Sequence, residues 1–418
     1  MTNAPTPPLL KNRDFRLLFS GETISTLGDQ FTVIAATWLI IKVWHDPLIL
    51  GTVMAVSAIP RALFMLLGGV MTDRFSPRLV MLLSNLSRLV LVTVMAVLVL
   101  TNNVQLWMMY VLMFLFGTAD AFFFPAQTAI VPHIAGKEQL TQANTMVQGV
   151  AQLSQFIGPM LAGALLAYFD RSSRQLTGIG LAFLVDAATF VFSALTLYLI
   201  SQRQSFATKE ESLLASVQSG LTYVWNIKAL RYVLFAISAM NLLLVGPFLV
   251  GIPVIANNIL PQAAQAYGAI MGAYGIGVLI GYLLAGVLPK PKAEVQGSLL
   301  MLMTLCLGVF LFFLAFATTT FAFILLSFCL SLLSGYVSLF FITIIQKGTS
   351  EQMMGRVMSI LMLSSVGLLP ISQAVSGAVI KVASQQIFIG AGLLFVLVVL
   401  GVWAVPEVRR IGVVLAEV

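Results

Sequence analysis

Residues 68–78 read GGVMTDRFSPR. Asp73, Arg74 and Arg78 fall within six positions, directly after the pair Gly68-Gly69, in a chain where only 9% of 418 residues are charged. A long apolar stretch precedes this cluster and another follows it. Charge gathered between two such stretches marks a chain leaving one bilayer span and entering the next. The composition agrees. Hydrophobic residues make up 59% of the chain and the mean hydropathy is +1.01. A soluble domain carries roughly 25% charged residues. The bilayer is therefore the main solvent of this chain.

A span needs about 20 mostly apolar residues. Twelve such stretches follow one another: 17–41, 48–71, 79–100, 105–130, 143–168, 179–200, 231–256, 266–288, 298–317, 319–345, 356–380 and 385–405. The break between the ninth and tenth rests on Thr318, Thr319 and Thr320. With both termini in the cytoplasm, sixteen of the 22 Lys+Arg fall on the inside, four on the outside (Lys42, Arg171, Arg174 and Lys381), and Arg61 and Arg88 within spans. Such a bias over short loops is the positive-inside rule, and it persists along the whole chain. The expected fold class is an all-α membrane protein that crosses the bilayer many times.

Other classes are disfavoured. The net charge of +7 is spread singly between apolar blocks, with no basic stripe carrying interleaved aromatics, so nucleic acid is not an expected partner. Cys306 and Cys329 both lie in apolar runs and read as small buried hydrophobes. His45 and His133 lack metal-ligand company, so no metal and no cofactor is expected. Without a GxxxxGK[ST] loop, direct ATP drive is unsupported. The N-terminus MTNAPTPPLL lacks the basic and apolar regions of a signal peptide.

The chain is also internally repeated. AGKEQLTQAN (135–144) matches GTSEQMMGRV (348–357) at an offset of 213, which also sets Gly68 on Gly281. NRDFRLLF (12–19) resembles NIKALRYVLF (226–235) at nearly the same offset. The expected domains are a six-helix bundle over 1–200, a cytoplasmic linker with an amphipathic helix over 201–230, a second bundle over 231–406 and a tail over 407–418. A site at the pseudo-symmetric junction, near mid-membrane, is the expectation for inverted or parallel repeats.

In this frame Gly68-Gly69-x-x-x-Asp73-Arg74-x-x-x-Arg78 resembles the signature loop of the major facilitator superfamily, with Leu79 where a second arginine often stands. FPAQTAIVPHIAGKEQLTQAN (124–144) is similar to a pattern of bacterial macrolide and siderophore exporters. QGVAQLSQFIGPMLAG (148–163) resembles the fifth-helix antiporter motif through Gly149, Gly158, Pro159 and Gly163, with Ala162 in place of a usual glycine. The fourth-span arginine of many drug:proton antiporters is absent from LFGTADAFFF (115–124). The resemblance implies two pseudo-symmetric six-helix bundles and a secondary active transporter, not an enzyme. Its expected work is proton-coupled efflux of amphipathic small molecules by alternating access, as a monomer driven by the proton gradient. The alternatives are a lipid or lysophospholipid transporter of the same fold, and a non-transporting membrane sensor. Residues 68–78 would act as a cytoplasmic latch.

Six ionisable residues fall inside spans, all in the first half: Glu22, Asp29, Arg61, Arg88, Asp120 and Asp186. Charge in the membrane is costly, so each is expected to be paired or functional. Asp29 lies near mid-depth of span one. Glu22, Ser25, Thr26 and Asp29 recur at helical spacing and share one face. Asp29, with Glu22 behind it, is the expected proton-coupling acid. Asp120 and Arg88 match in depth and read as an ion pair, and Arg61 is an available partner for Asp29. Asp186 has no evident partner. Gln148, Gln152 and Gln155 form a stripe on span five; Gln152 and Gln155, with Asn241, Tyr274, Gln373 and Phe123, are the expected cavity lining.

Overall fold

The computed structural model describes residues 9–170, 175–201, 221–288, 291–347, 349 and 351–411. Side chains at 66, 69, 70, 73, 74, 136–138, 141, 170, 175, 346, 347, 351–356, 358, 359, 362, 363 and 366 are outside that description. No strand occurs among the described residues. The helices are α1 (Arg13–Trp44), α2 (Pro47–Arg74), α3 (Pro77–Leu100), α4 (Leu106–Asp170) and α5 (Gln175–Leu199), then α6 (Lys228–Met240), a π-helical turn (Asn241–Val245), α7 (Gly246–Ile259), α8 (Ala263–Val287), α9 (Ala293–Leu314), α10 (Thr320–Lys347), α11 (Glu351–Val382), α12 (Gln386–Trp403) and the short α13 (Pro406–Arg409).

Among the described residues, eleven stretches are long and apolar enough to cross a membrane. The twelfth expected span, 356–380, contributes the shorter apolar stretch Gly367–Val382. The expected break is present at 315–319, with Thr318 and Thr319 inside it and Thr320 opening α10.

Spans four and five were expected as separate helices, yet α4 is one helix of 65 residues. Gln127 and Ser154 both reach α1, at Glu22 and Thr26, one turn apart. A straight helix would hold 127 and 154 about 40 Å apart at 1.5 Å per residue, so α4 doubles back between them. The connection is built from helix formers (Ala135, Lys137, Glu138, Gln139, Leu140), which explains why helical structure persists through it. The stretch read as a loop at 68–78 is helical too: α2 runs to Arg74, and only Phe75 and Ser76 separate it from α3.

The chain divides into two compact units, Met1–Leu39 with Val56–Lys209, and Ile40–Ala55 with Glu210–Val418. The expected second span, 48–71, is thus divided, with 48–55 grouped in the second unit together with 40–41 of the first span, and 56–71 in the first unit. Most of the expected linker helix, 202–220, and the tail beyond Ile411 lie outside the described residues.

In the first unit, Asn12 donates from Nδ2 to Ile134 O at 2.9 Å. Ser201 N donates to Asp14. Arg78 donates to the carbonyls of Leu197 (2.7 Å from Nε) and Tyr198. The starts of α1 and α3, the fold-back of α4 and the end of α5 therefore share one end, as alternating spans require. A guanidinium on the last carbonyls of α5 also satisfies acceptors that helix geometry leaves open.

In the second unit, Lys228 meets Glu407 at 3.1 Å, and a Cβ on Gly297 would press on the carbonyls of Val408 and Arg409. The starts of α6 and α9 and the short α13 share one end. The freed backbone groups of the π-turn are met by Ser372 of α11, whose hydroxyl accepts from Gly246 N at 3.0 Å and donates to Leu242 O.

The repeat is visible in packing. A Cβ on Gly68 would collide with Ala121 O and Phe122 Cα, where α2 crosses α4. A Cβ on Gly281 would collide with Leu332 O, Tyr336 N and Gly335 Cα, where α8 crosses α10. The offset of 213 that relates Gly68 to Gly281 also relates Phe122 to Gly335. Each unit uses a glycine at the same place to bring its second and fourth spans together.

Gly51 and Gly377 make a similar crossing inside the second unit: a Cβ on Gly377 would stand 2.7 Å from Pro47 O and 2.9 Å from Gly51 Cα. Gly377→Leu is expected to destabilise by about 1–3 kcal/mol, the usual range for overpacking. Gly390→Leu, where no atom lies within 4 Å of the added Cβ, should change little. Thermal unfolding of both variants in one detergent checks this.

Asp46, in the turn between α1 and α2, accepts from Lys381 Nζ at 2.6 Å and from Leu48 N at 2.9 Å. The Lys381 hydrogen bond holds the Asp46 carboxyl below the usual aspartate range, and the backbone donor at Leu48 adds to this. A depressed acid stabilises the fold above its unfolded value of about 4 and loses that contribution as pH falls through its folded value. The contact should therefore persist at neutral and mildly acidic pH and fail only in strong acid. Lys381→Ala should move the Asp46 titration upward, as carboxyl-carbon NMR would read, with little loss of stability because exposed pairs contribute about 0–1 kcal/mol.

Candidate functional site

The apolar interior of the first unit brings all six intramembrane ionisable residues of the sequence together. α1 supplies Glu22 and Asp29, α2 Arg61, α3 Arg88, α4 Asp120 and α5 Asp186. Arg88 is the centre. Its side chain is 1% exposed, with Nη1 3.3 Å from Asp120 Oδ1 and 3.6 Å from Asp29 Oδ1. Nη2 donates to Asn85 Oδ1, and Asn85 Nδ2 donates to Ser193 Oγ at 2.9 Å. The guanidinium lies between the rings of Phe123 and Phe190, 4.1 and 4.7 Å from their centroids. Ring faces attract a desolvated cation, and Arg stacks well on them. Phe123, an expected cavity residue, is buried and presents its ring to Arg88.

The Arg88–Asp120 pair of the sequence reading is present. Arg61 joins Asp120 as well, so Asp120 holds both guanidiniums and Asp29 meets Arg88, not Arg61. Depth along a helix cannot distinguish these pairings, because two arginines at similar depth face one acid. Asp29 keeps 29% of its side chain exposed, against 13% for Asp120. Of the two acids that touch Arg88, Asp29 is the more accessible.

The face Glu22–Ser25–Thr26–Asp29 points into the unit. Glu22 Oε2 accepts from the side-chain amide of Gln127, while Oε1 has no hydrogen-bond partner. Thr26 Oγ1 lies 3.1 Å from Ser154 Oγ. Asp186 is fully buried and is hydrogen-bonded by the hydroxyls of Thr32 on α1 and Thr189 on its own helix, the latter at 3.0 Å. Gln127, Thr32, Thr189 and Asn85 were not singled out from the sequence. The available signals were Asp186-x-x-Thr189 and Asn85-x-x-Arg88, each one helical turn.

Gly158, in the antiporter-like stretch, brings α4 onto α1, since a Cβ there would strike the Gln30 side chain. Gly163 and Pro159 are buried, and Gly149 has open space beside it. Gln152 is half-buried with an unpartnered Oε1, and Gln155 is exposed. In the second unit, Asn241 sits in the π-turn and donates to Ile237 O at 2.9 Å. The Tyr274 ring lies 4.6 Å from that of Phe248, and Gln373 is buried with a free Oε1. Of the latch residues, Gly68 and Arg78 are placed as above; the side chains of Asp73 and Arg74 and the surroundings of Gly69 are outside the described residues.

An apolar cavity of about 700 Å³ opens on the first unit between α2, α3 and α4. Phe75, Leu83, Val90, Leu115 and Phe122 line it, and Ser84 at its wall donates to Ala119 O, next to Asp120.

Known proteins show the same build. The chain is similar to the uncharacterized MFS-type transporter YfiS of Bacillus subtilis (strain 168), at 26% identity over 224 residues. That match covers 52% of this chain and 51% of YfiS, so the chain aligns with about half the length of that relative. It is 28% identical over 359 residues to the enterobactin exporter EntS of Escherichia coli O1:K1 / APEC, covering 82% of this chain and 79% of that protein. The structure of the nucleoside transporter NupG superposes with a TM-score of 0.73 at 12% identity, over 94% of this chain and 99% of that one, which is a likeness of fold. The family model of the Major Facilitator Superfamily matches residues 18–372. With eleven apolar stretches of spanning length among the described residues, a duplicated packing pattern and that match over most of its length, the chain belongs to the Major Facilitator Superfamily of membrane transporters.

Proposed function

We propose that this chain is a proton-coupled exporter of amphipathic small molecules, macrolide- or siderophore-like, that works by alternating access in a bacterial inner membrane. One observation carries the reading: Asp29, partly accessible, shares Arg88 with the better-buried Asp120. Ionised Asp29 is held by Arg88. A proton on Asp29 cancels that attraction, and a cationic or hydrogen-bonding cargo near Asp29 competes with it. Proton and cargo then occupy the same centre in alternate halves of a cycle, which is the requirement for exchange. Asp120 keeps Arg88 oriented and is itself shared with Arg61. Gln152 and Gln155 supply polar contacts from this unit, and Glu22 is a second acid on the Asp29 face. The likeness to an enterobactin exporter supports export of bulky amphipathic cargo.

A second reading, transport of a lysophospholipid, draws support from the apolar cavity between α2, α3 and α4, whose volume and lining suit an acyl chain. The two are separated by reconstituting the protein in vesicles with a trapped pH-sensitive dye and an imposed pH gradient. Macrolides, a catecholate siderophore, amphipathic cations and lysolipids are added in turn. Faster collapse of the gradient with one of the first three supports the exporter, and collapse with lysolipid alone supports the second reading. No acceleration by any of them would contradict both.

A further inference from the structure

The interior of the first unit holds four carboxyl groups (Glu22, Asp29, Asp120 and Asp186) against two guanidiniums (Arg61 and Arg88). The guanidiniums are taken by Asp120 and Asp29. Among the described residues no basic group lies within 4 Å of Asp186 or Glu22. Two ionised acids in excess of their counter-charges, in a low-dielectric interior, would be strongly disfavoured. Two protons resolve the imbalance, and the acids without an arginine are their natural holders.

Asp186 is the better enclosed of these two. It is 0% exposed, whereas Glu22 is 3% exposed. Its partners are neutral hydroxyls, Thr32 and Thr189. A hydroxyl can accept from a carboxylic acid as readily as it donates to a carboxylate, so this pocket suits the neutral form. Gly28 closes it: a Cβ there would stand 2.5 Å from Asp186 Oδ1. Gly28 neighbours Asp29, and Thr32 lies three residues beyond Asp29 on the same helical face. Asp186 and Asp29 interact electrostatically, and Arg88 feels both.

We infer that Asp186 is a second proton-binding acid of this protein, carrying its proton while Asp29 is ionised beside Arg88 and yielding it when Asp29 becomes protonated. The two arrangements, Asp29 ionised with Asp186 neutral and Asp29 neutral with Asp186 ionised, have the same net charge around Arg88. One proton moves between the two carboxyl groups, and the Thr32 hydroxyl holds the Asp186 end of that path, where it can donate to the carboxylate or accept from the acid. The interior charge stays balanced throughout. The buried acid thus acts as a proton store behind the accessible one. This rests on the proton-exchange reading above for its role, but not for its protonation.

Infrared spectroscopy of the whole protein in lipid at neutral pH tests it. The wild type should show the carbonyl stretch of protonated carboxyl groups, and Asp186→Asn should remove part of that band. Thr32→Val, which removes one hydrogen bond and keeps the acid, should shift the band without reducing its area, and so decides the matter even if Asp186→Asn fails to fold. A band left unchanged in area by Asp186→Asn, or unmoved by Thr32→Val, would overturn the assignment. In vesicles Asp186→Asn should slow proton-coupled flux while leaving the number of protons moved per cargo unchanged. A wild type with the predicted band but no coupled flux would contradict the proposed function and leave the assignment of Asp186 standing.

Discussion

Asp29→Asn is expected to reduce proton-coupled flux to background while the protein stays folded. Asn keeps the shape of the side chain and removes the titration, so any exchange of a proton for cargo at this position is lost. Folding should tolerate the change because Arg88 does not depend on Asp29. It retains Asp120 at 3.3 Å, the Asn85 side chain, and two aromatic faces. Downhill movement of cargo without protons should survive, because the pocket itself is intact. Coupled and uncoupled flux in the same vesicle preparation, with unfolding temperature as control, gives the comparison. Persisting coupled flux would remove Asp29 from the proton path.

Arg88→Gln is expected to show the opposite balance, a large loss of stability. Its guanidinium is almost wholly buried and joins α3 to α1 and α4 through ion pairs, and to α5 through Phe190 and the Asn85–Ser193 contact. Removing one partner of a buried ionic cluster leaves uncompensated charge and costs about 3–5 kcal/mol. Arg88→Lys should recover only part of this, because a point charge cannot serve Asp29, Asp120 and Asn85 in the planar fork or stack between two rings. Combining Arg88→Gln with Asp29→Asn should cost less than the sum, because the second change removes a carboxylate that the first left bare. Denaturant unfolding in detergent measures each term. A wild-type-like stability for Arg88→Gln would mean that the cluster contributes nothing to the fold.

Much of this architecture was legible because the bilayer restricts the chain to helices and makes charge conspicuous. The six intramembrane ionisable residues stand out against their apolar surroundings, and they do converge. The Gly68/Gly281 correspondence was legible because a duplicated unit conserves its tight crossings at one offset. Hydropathy could not tell that α4 continues as helix through its reversal, since helix formers occupy both its spans and the connection. The π-turn at Asn241–Val245 leaves no mark in composition; it depends on Ser372, 126 residues beyond Gly246, to satisfy its backbone. The partners of Asp186 were hidden for a similar reason. Thr32 is 154 residues away, and a threonine in a membrane helix usually bonds its own backbone, as Thr23, Thr37 and Thr52 do here. Which arginine serves which acid depends on helix rotation, and span boundaries do not fix that.

The most direct test of proton-for-cargo exchange at Asp29 uses binding alone, with no gradient and no vesicle. Purified protein in weakly buffered detergent is mixed with a cargo identified by the flux screen, and the change in proton concentration is followed. At a starting pH low enough for Asp29 to carry its proton, release of protons on binding by the wild type, and none by Asp29→Asn at matched occupancy, is the expected result. Equal release by both proteins, or none by either, would contradict the account.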